Sequence, residues 1–265
     1  MKEIRFEVAF MPKEVKPNSA AVCIVIDVIR ASTTMVNLLE KGCPQIILTS
    51  DEKQFMNNNP DYWHDGTLIC AEEYSGNVAE GAHFSPSLKS LEKMDVNRKR
   101  VVLRTTNGTV AVQTLHELGV KHILIGCMNN AQAVMEKALD MADELNTSIM
   151  VVCAGRDNTQ IAALDDAYCA GILVKYGQNL AKARGIEPVF MDSAKIASHM
   201  LSVYSDTIDA FNHSGSGETM RRIQCPEDII TCAKENGSTI VPMVSFHQEK
   251  QFIIVTKAKE LAVHA

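Results

Sequence analysis

A chain of 265 residues, 46% hydrophobic and 22% charged, is ordinary for a soluble globular protein and can bury a sizeable core in one large α/β domain or two small ones. Its formal charge of −6 offers no basic stripe to a nucleic-acid backbone, although two or three arginines could still hold a small anion. No apolar run of 18 residues and no charged-then-apolar leader at Met1 is found, so a cytoplasmic protein without a membrane partner is expected.

Residues 4–10 read as an opening strand and 12–19 as a loop. The run 22–26 is continuously apolar, as in a strand buried on both faces of a parallel sheet, and it delivers Asp27 and then Arg30. A helix follows, with Met35, Leu38 and Leu39 on one face, Gly42 and Pro44 as its stop, and Ser32 or Thr33 as its N-cap. A strand at 45–49, a polar helix from about Asp51, a loop at 57–61 and a short strand at 67–71 lead to Glu72 and Glu73. Residues 72–90 form a long connection without apolar periodicity.

Three strand-to-helix units come next: strand 100–104 with a helix to Leu118, strand 121–125 with a helix to about Leu145, and strand 148–153 with a helix from about Ile161 to Tyr176. Beyond Gly185 the pattern gives a strand at 188–191, a long helix from about 192 to 211, and a loop at 213–217. A helix at 226–234 and strands at 239–244 and 251–256 complete the chain. The fold class is α/β, with helices on both faces of a mainly parallel sheet that becomes mixed if the last two strands pair as a hairpin.

The chemistry collects at strand ends. Asp27, Glu72, residues 105–109, Asn129 and residues 156–166 all follow the carboxyl ends of predicted strands, where open α/β sheets bind ligands. Carboxylates beside a phosphate are a usual setting for Mg²⁺. Arg30, Arg156 and the N–H groups of a helix opening at Thr33 and Thr34 suit phosphate oxygens. Duller accounts exist: a plain Asp27–Arg30 ion pair, an ordinary turn at Asn107-Gly108, and a solvated first helical turn at Asp165-Asp166. A P-loop is excluded because no Gly-Lys-Ser/Thr precedes the helix. A haloacid-dehalogenase-type site is excluded because position 29 is Ile rather than a second Asp. The eight cysteines include no CxxC pair and read as reduced, buried thiols, Cys153 among them. No metal spacing is found among the histidines, and His83 reads as solvated.

Taken together, IDVIRASTT (26–34), TTNGT (105–109), CAG (153–155), LDDAYCAG (164–171) and the SGSG…PEDI…VP series (214–242) resemble the 2-phosphosulfolactate phosphatase family. The resemblance spans nearly the whole chain, which implies one domain over 1–265, with a C-terminal subdomain from about 186 as a variant. It implies a three-layer α/β/α fold and a Mg²⁺-dependent hydrolysis of 2-phospho-3-sulfolactate to 3-sulfolactate and phosphate, a step toward coenzyme M or sulfolactate.

On these grounds Asp27, Arg30 and Asp166 are the catalytic candidates, and Asp27, Glu72 and Asp166 the metal ligands. Thr33, Thr34, Thr105, Thr106, Asn107, Gly108, Thr109 and Arg156 are the substrate-binding candidates, with Gly171 also on a family motif. The expected partner is a small anionic phosphorylated substrate, and association of like chains is left open. One departure stands out. Where the family usually reads Gly-Glu-Arg this chain has Ala71-Glu72-Glu73, and the Asn before Ser85-Pro86 is missing. Loss of a cation weakens the hold on a polyanion. A less acidic substrate, or a small-anion-binding homologue without turnover, is the alternative.

Overall fold

The computed structural model describes residues 2–64, 66–73, 77–247 and 252–258; His264 and parts of the 72–90 connection and of the last hairpin lie outside them. Strand β2 (Val22–Ile26) is buried at every position, as its unbroken apolar run requires. It lies in a ten-stranded sheet between β6 (Ile123–Ile125) and β7 (Ile149–Cys153), parallel to both. Beyond β7, β1 (Glu3–Ala9) and the edge strand β8 (Glu187–Phe190) continue this parallel block. A second parallel block holds β3 (Ile46–Leu48), β4 (Leu68–Ala71) and β5 (Val101–Arg104). The antiparallel hairpin of β9 (Pro242–His247) and β10 (Phe252–Lys257) joins the two, giving the order β4-β5-β3-β10-β9-β6-β2-β7-β1-β8.

Most pairings are parallel, as expected, but the sheet differs from a simple parallel one. β3 is antiparallel to β10, β10 to β9, and β9 to β6. Three successive reversals leave β3, β4 and β5 running opposite to β2, β6 and β7. In a flat sheet the exit of β2 and the exits of β4 and β5 would lie on opposite edges. They meet because α5 leaves β5 to pack on β2, which brings Gly108 against Asp27, and because Arg30 reaches across to Glu72 at the β4 exit.

Helices cover both faces, giving the three-layer arrangement. On one face α1 (Ala31–Glu40), α4 (Leu88–Glu92) and α5 (Gly108–Glu117) share a core with Cys23 and Val25 of β2 and with Cys70 and Leu103 of β4 and β5. One cluster thus reaches both blocks, and α5 leaves β5 to pack on β2. On the opposite face α6 (Ala131–Leu145), α7 (Leu164–Ala183), α8 (Asp192–Met200), α9 (Thr207–His213), α10 (Gly215–Arg222) and α11 (Pro226–Cys232) pack around Ile24 and Ile26. At the far end of that face α2 (Glu52–Asn58) and α3 (Asp61–His64) cover Ile47, Ile69 and Val102.

Several boundaries differ from the sequence pattern for local reasons. The expected 192–211 helix breaks because Ser205 and Asp206 form a new cap: Asp206 Oδ1 accepts the Asp209 N–H at 2.8 Å, and Ser205 N–H donates to Asp209 Oδ2 at 3.0 Å. Residues 215–217 are the first turn of α10 rather than a loop, capped by Ser214 Oγ on the Gly217 N–H at 2.9 Å. α7 starts at Leu164 and continues to Ala183. The loop at 57–61 shrinks to Asn59 and Pro60, since α2 ends at Asn58 and α3 begins at Asp61. The free cysteines are buried apart from the half-buried Cys225. No helix among the described residues is long and apolar enough to cross a membrane.

Candidate active site

The β2–α1 turn is built by its hydroxyls. Ser32 Oγ donates to Asp27 O at 2.8 Å and Thr33 Oγ1 to Val28 O at 2.8 Å, so these side chains tie the turn back on itself instead of capping α1. Thr34 Oγ1 donates to Pro86 O at 2.7 Å and anchors the long connection. The β5–α5 turn is closed by a reciprocal pair, Thr105 N–H to Thr109 Oγ1 at 3.2 Å and Thr109 N–H to Thr105 Oγ1 at 3.1 Å. Gly108 then approaches Asp27 so closely that a β-carbon there would lie 2.8 Å from Ala31 Cβ and 3.0 Å from Asp27 Oδ2. After β7 the chain turns through Gly155 and three further residues with positive φ, Asp157 (52°), Asn158 (52°) and Thr159 (65°). Such conformations cost about 1–2 kcal/mol per non-glycine residue and gather where a loop is held for a purpose. What this loop holds is Arg156, whose guanidinium lies against Gly215, where any β-carbon would overlap it.

These turns enclose a cavity of about 320 Å³ at the exits of β2, β4, β5 and β7, walled on one side by α10. Asp27, Arg30, Glu72, Asn107, Arg156 and Ser216 line it, and Glu73, Asp157, Glu218 and Arg222 stand at its exposed parts. A larger groove of about 810 Å³ between α2, α5 and the last hairpin has Asp51, Asp61 and Glu117 but no lysine or arginine among its described lining residues. The smaller cavity is the one suited to an anion.

Two sets of acids, buried apart from the half-buried Glu72, lie at or behind this cavity: Asp27 and Glu72 line it, and Asp165, Asp166 and Asp228 pack behind its lining. Arg30 Nη2 donates to Glu72 Oε2 at 2.7 Å and Nη1 to Asp228 Oδ2 at 3.0 Å. Burial works against the Arg30 charge, but these carboxylates outweigh it and raise its pKa. Asp27, Asp165 and Asp166 form the other set, 8%, 1% and 2% exposed, and none has an ion pair among the described residues. Burial first, then the charges of Glu72 and Asp165, pushes Asp27 up to about 7, while the N–H groups of Gly108 and Ala31 pull it back. Asp165 is pushed up to about 6 by burial. Asp166 is raised by burial and by both neighbouring acids. Its two oxygens accept Val28 N–H at 2.9 Å and Gly155 N–H at 3.0 Å, stapling the β2 and β7 exits together. Two buried oxygens here, Asp165 Oδ1 and Asn107 Oδ1, have no hydrogen-bond partner.

The profile of the 2-phosphosulpholactate phosphatase family matches residues 9–246. The chain belongs to this family. Similar proteins carry the name "Probable 2-phosphosulfolactate phosphatase": that of Deinococcus radiodurans is 31% identical over 90% of this chain and 92% of its own. Those of Thermus thermophilus (29% identical, 84% of this chain, 87% of its own) and Clostridium novyi (28%, 86% and 89%) are similar along the same length.

Of the residues expected from sequence, Asp27, Arg30, Glu72, Thr106, Asn107 and Arg156 line the cavity, with Gly108 against Asp27. Thr33, Thr34, Thr105 and Thr109 lie behind its wall, their hydroxyls engaged within the turns. Asp165 and Asp166 are buried, not a solvated helix start, and Arg30 pairs with Glu72 and Asp228, not with Asp27. Asn129 is elsewhere, its Oδ1 accepting the Gly237 N–H at 3.0 Å. Gly171 is buried in α7. His83 is exposed, its Nδ1 accepting the Ile69 N–H at 3.0 Å. Sequence reasoning passed over Asp228, which sits in the PEDI stretch but reads as an ordinary acid in the first turn of a Pro-started helix. It also passed over Arg222, which lies between the loop expected at 213–217 and the helix expected from Pro226, where the sequence pattern gave no element.

Proposed function

We propose that this protein is a Mg²⁺-dependent phosphatase that hydrolyses 2-phospho-3-sulfolactate, or a closely related small phosphorylated hydroxy acid, to 3-sulfolactate and phosphate. Family membership supports the reaction class. The observation that carries the reading is the set of three mutually repelling buried carboxylates beside an arginine-edged cavity.

The donor set fits a hard cation. Asp165 Oδ1 and Asn107 Oδ1 are buried oxygen acceptors without partners, and Asp27 and Asp165 are acids held in an environment that disfavours their charge. No cluster of three His, Cys, Asp or Glu side chains converges as a ready cage among the described residues. The reading therefore rests on a pair of carboxylates and an amide oxygen, within the one or two carboxylates that Mg²⁺ takes while keeping several waters. In this reading Asp27 and Asp165 hold the ion, Asp166 fixes the two turns that carry them, and Glu72 serves Arg30. Bound there, Mg²⁺ supplies charge neutralisation for the phosphoryl oxygens.

The chain's own groups do the rest. Arg30 and Arg156 bind the non-bridging phosphate oxygens and stabilise the charge spread over them in a loose transition state. Asn107 and Thr106 present polar atoms at the N-terminus of α5, whose dipole favours the anion. The lining acids Asp27, Glu72, Glu73, Asp157 and Glu218 outnumber Arg30, Arg156 and Arg222, so a polyanion is held only with a cation alongside. Incubation with 2-phosphosulfolactate and with an aryl phosphate, each with and without Mg²⁺, tests the proposal. Phosphate release that requires the metal is expected. No release with any divalent metal would leave an anion-binding protein without turnover.

A further inference from the structure

Arg30 and Asp228 are 198 residues apart in sequence, yet their side chains meet in a buried contact at the cavity wall. An arginine that served only as a counter-ion would need one acid. Here two acids grip different terminal nitrogens, which fixes the plane of the guanidinium as well as its charge. Arg30 Nε–H donates to no described residue, and Arg30 lines the cavity. The fork is therefore held from one side and left with free donors.

The other oxygen of Asp228 has a different task. Oδ1 accepts the Leu88 N–H at 3.1 Å, the Lys89 N–H at 3.4 Å and the Ser87 hydroxyl at 3.4 Å. These backbone groups belong to the first turn of α4, whose N–H groups have no partner within the helix. α4 ends the connection that begins at Glu72. One carboxylate thus ties α11, the end of that connection and Arg30 together.

We infer that Asp228 is a positioning residue for the reaction: through Arg30 it aims the guanidinium's free edge at the phosphate oxygens, and through α4 it keeps the end of the connection, at 85–87, docked behind that arginine. The inference rests on the proposed phosphatase reading, and its test separates the two. Asp228→Asn keeps an oxygen for the α4 N–H groups while removing the charge that faces Arg30. It is expected to stay folded and to lower kcat/KM for 2-phosphosulfolactate by roughly ten- to hundred-fold. Because the effect passes through Arg30, the double variant with Arg30→Ala loses no more than Arg30→Ala alone. Glu227→Gln, in the same turn of α11 but engaged only with Lys89 at the surface, leaves both kinetic constants within about two-fold.

The same cycle is read without turnover by calorimetric binding of inorganic phosphate in the presence of Mg²⁺. Additive losses in both cycles would overturn the inference by making Asp228 merely structural. Wild-type protein that binds no phosphate overturns it too. Wild-type protein that binds phosphate with non-additive losses, yet hydrolyses no ester, keeps Asp228 as the positioning residue of an anion site and rejects the phosphatase.

Discussion

Glu72 and Asp228, gathered on Arg30, and Asp27, Asp165 and Asp166, packed where β2 and β7 end, are two sets of acids at or just behind the cavity with opposite electrostatic circumstances. The first two share a guanidinium at 2.7 and 3.0 Å. The other three face one another without an ion pair among the described residues; backbone N–H groups hold Asp27 and Asp166, while Ser214, Ser216 and the Arg156 charge ease Asp165 only in part. Burying a carboxylate without a cation costs several kcal/mol, and a chain selected for stability alone would place aliphatic residues there. The comparison separates scaffold from chemistry: the paired acids orient Arg30, whereas the unpaired ones are destabilising unless a ligand's charge relieves them.

The largest effect expected from this contrast is on turnover. Asp27→Asn removes a carboxylate from the unpaired set and is predicted to stay folded while kcat falls by two or more orders of magnitude, with half-saturation by Mg²⁺ moving to higher concentration. A Mg²⁺ titration of the variant beside a melting curve reads both. A folded variant with ordinary turnover and ordinary metal dependence removes Asp27 from the site.

The pH dependence of stability follows with its sign. Asp27, near 7, and Asp165, near 6, hold protons in the folded state that the unfolded chain has already released. Their contribution is fully present below about pH 4 and is lost as pH rises through 6 and 7. Metal-free protein is therefore predicted to lose stability over that window, on the order of 4 kcal/mol if Asp27 alone is counted. Saturating Mg²⁺ is predicted to flatten the slope, because the ion favours the ionised acids. Melting curves from pH 4.5 to 8 with and without Mg²⁺ check this, and a slope indifferent to the metal would count against the site.

Smaller, and opposite in direction, are the effects of neutralising one acid from each set. Asp165→Asn removes a disfavoured charge and is predicted to stabilise the metal-free protein near neutral pH by on the order of 3 kcal/mol. Glu72→Gln deprives Arg30 of one partner and is predicted to destabilise it by about 1–3 kcal/mol. Both variants lower turnover. Shifts of the same sign in the two melting temperatures would erase the distinction between the sets.

What the sequence made legible was local. The apolar run before Asp27, the strand-to-helix order and the Thr-Thr-Asn-Gly-Thr turn gave the layers and put Asp27, Arg30, Glu72, Asn107 and Arg156 at one site. The direction of β3, β4 and β5 was not legible, because it depends on where the hairpin β9–β10 inserts, and no residue within those strands records that. Burial was equally hidden: Asp165 and Asp228 read as acids placed favourably in first helical turns, and only tertiary packing makes them 1% exposed. The hydroxyls of Thr33, Thr34, Thr105 and Thr109 suited a phosphate as well as they suited a turn, and backbone groups compete with any ligand for them.

The smallest effect concerns Glu73, an acid that belongs to neither set. It lines the cavity but is exposed, next to the Glu72 that holds Arg30. A cation there would meet a substrate's carboxylate or sulfonate rather than its reacting phosphate. Glu73→Arg is accordingly predicted to raise kcat/KM for 2-phosphosulfolactate relative to an aryl phosphate, which lacks those groups. Were the contact buried, a charge-assisted bond would be worth about 1.5–3 kcal/mol, or one to two orders of magnitude. At an exposed rim, water and salt screen it to about 1 kcal/mol or less, so a gain of roughly five-fold is expected, shrinking as ionic strength rises. Measuring the ratio of the two substrates at low and high salt distinguishes this from a general rise in activity. A preference unchanged at either salt means that position 73 does not reach the substrate, and the cavity's specificity then lies with Arg156 and Arg222.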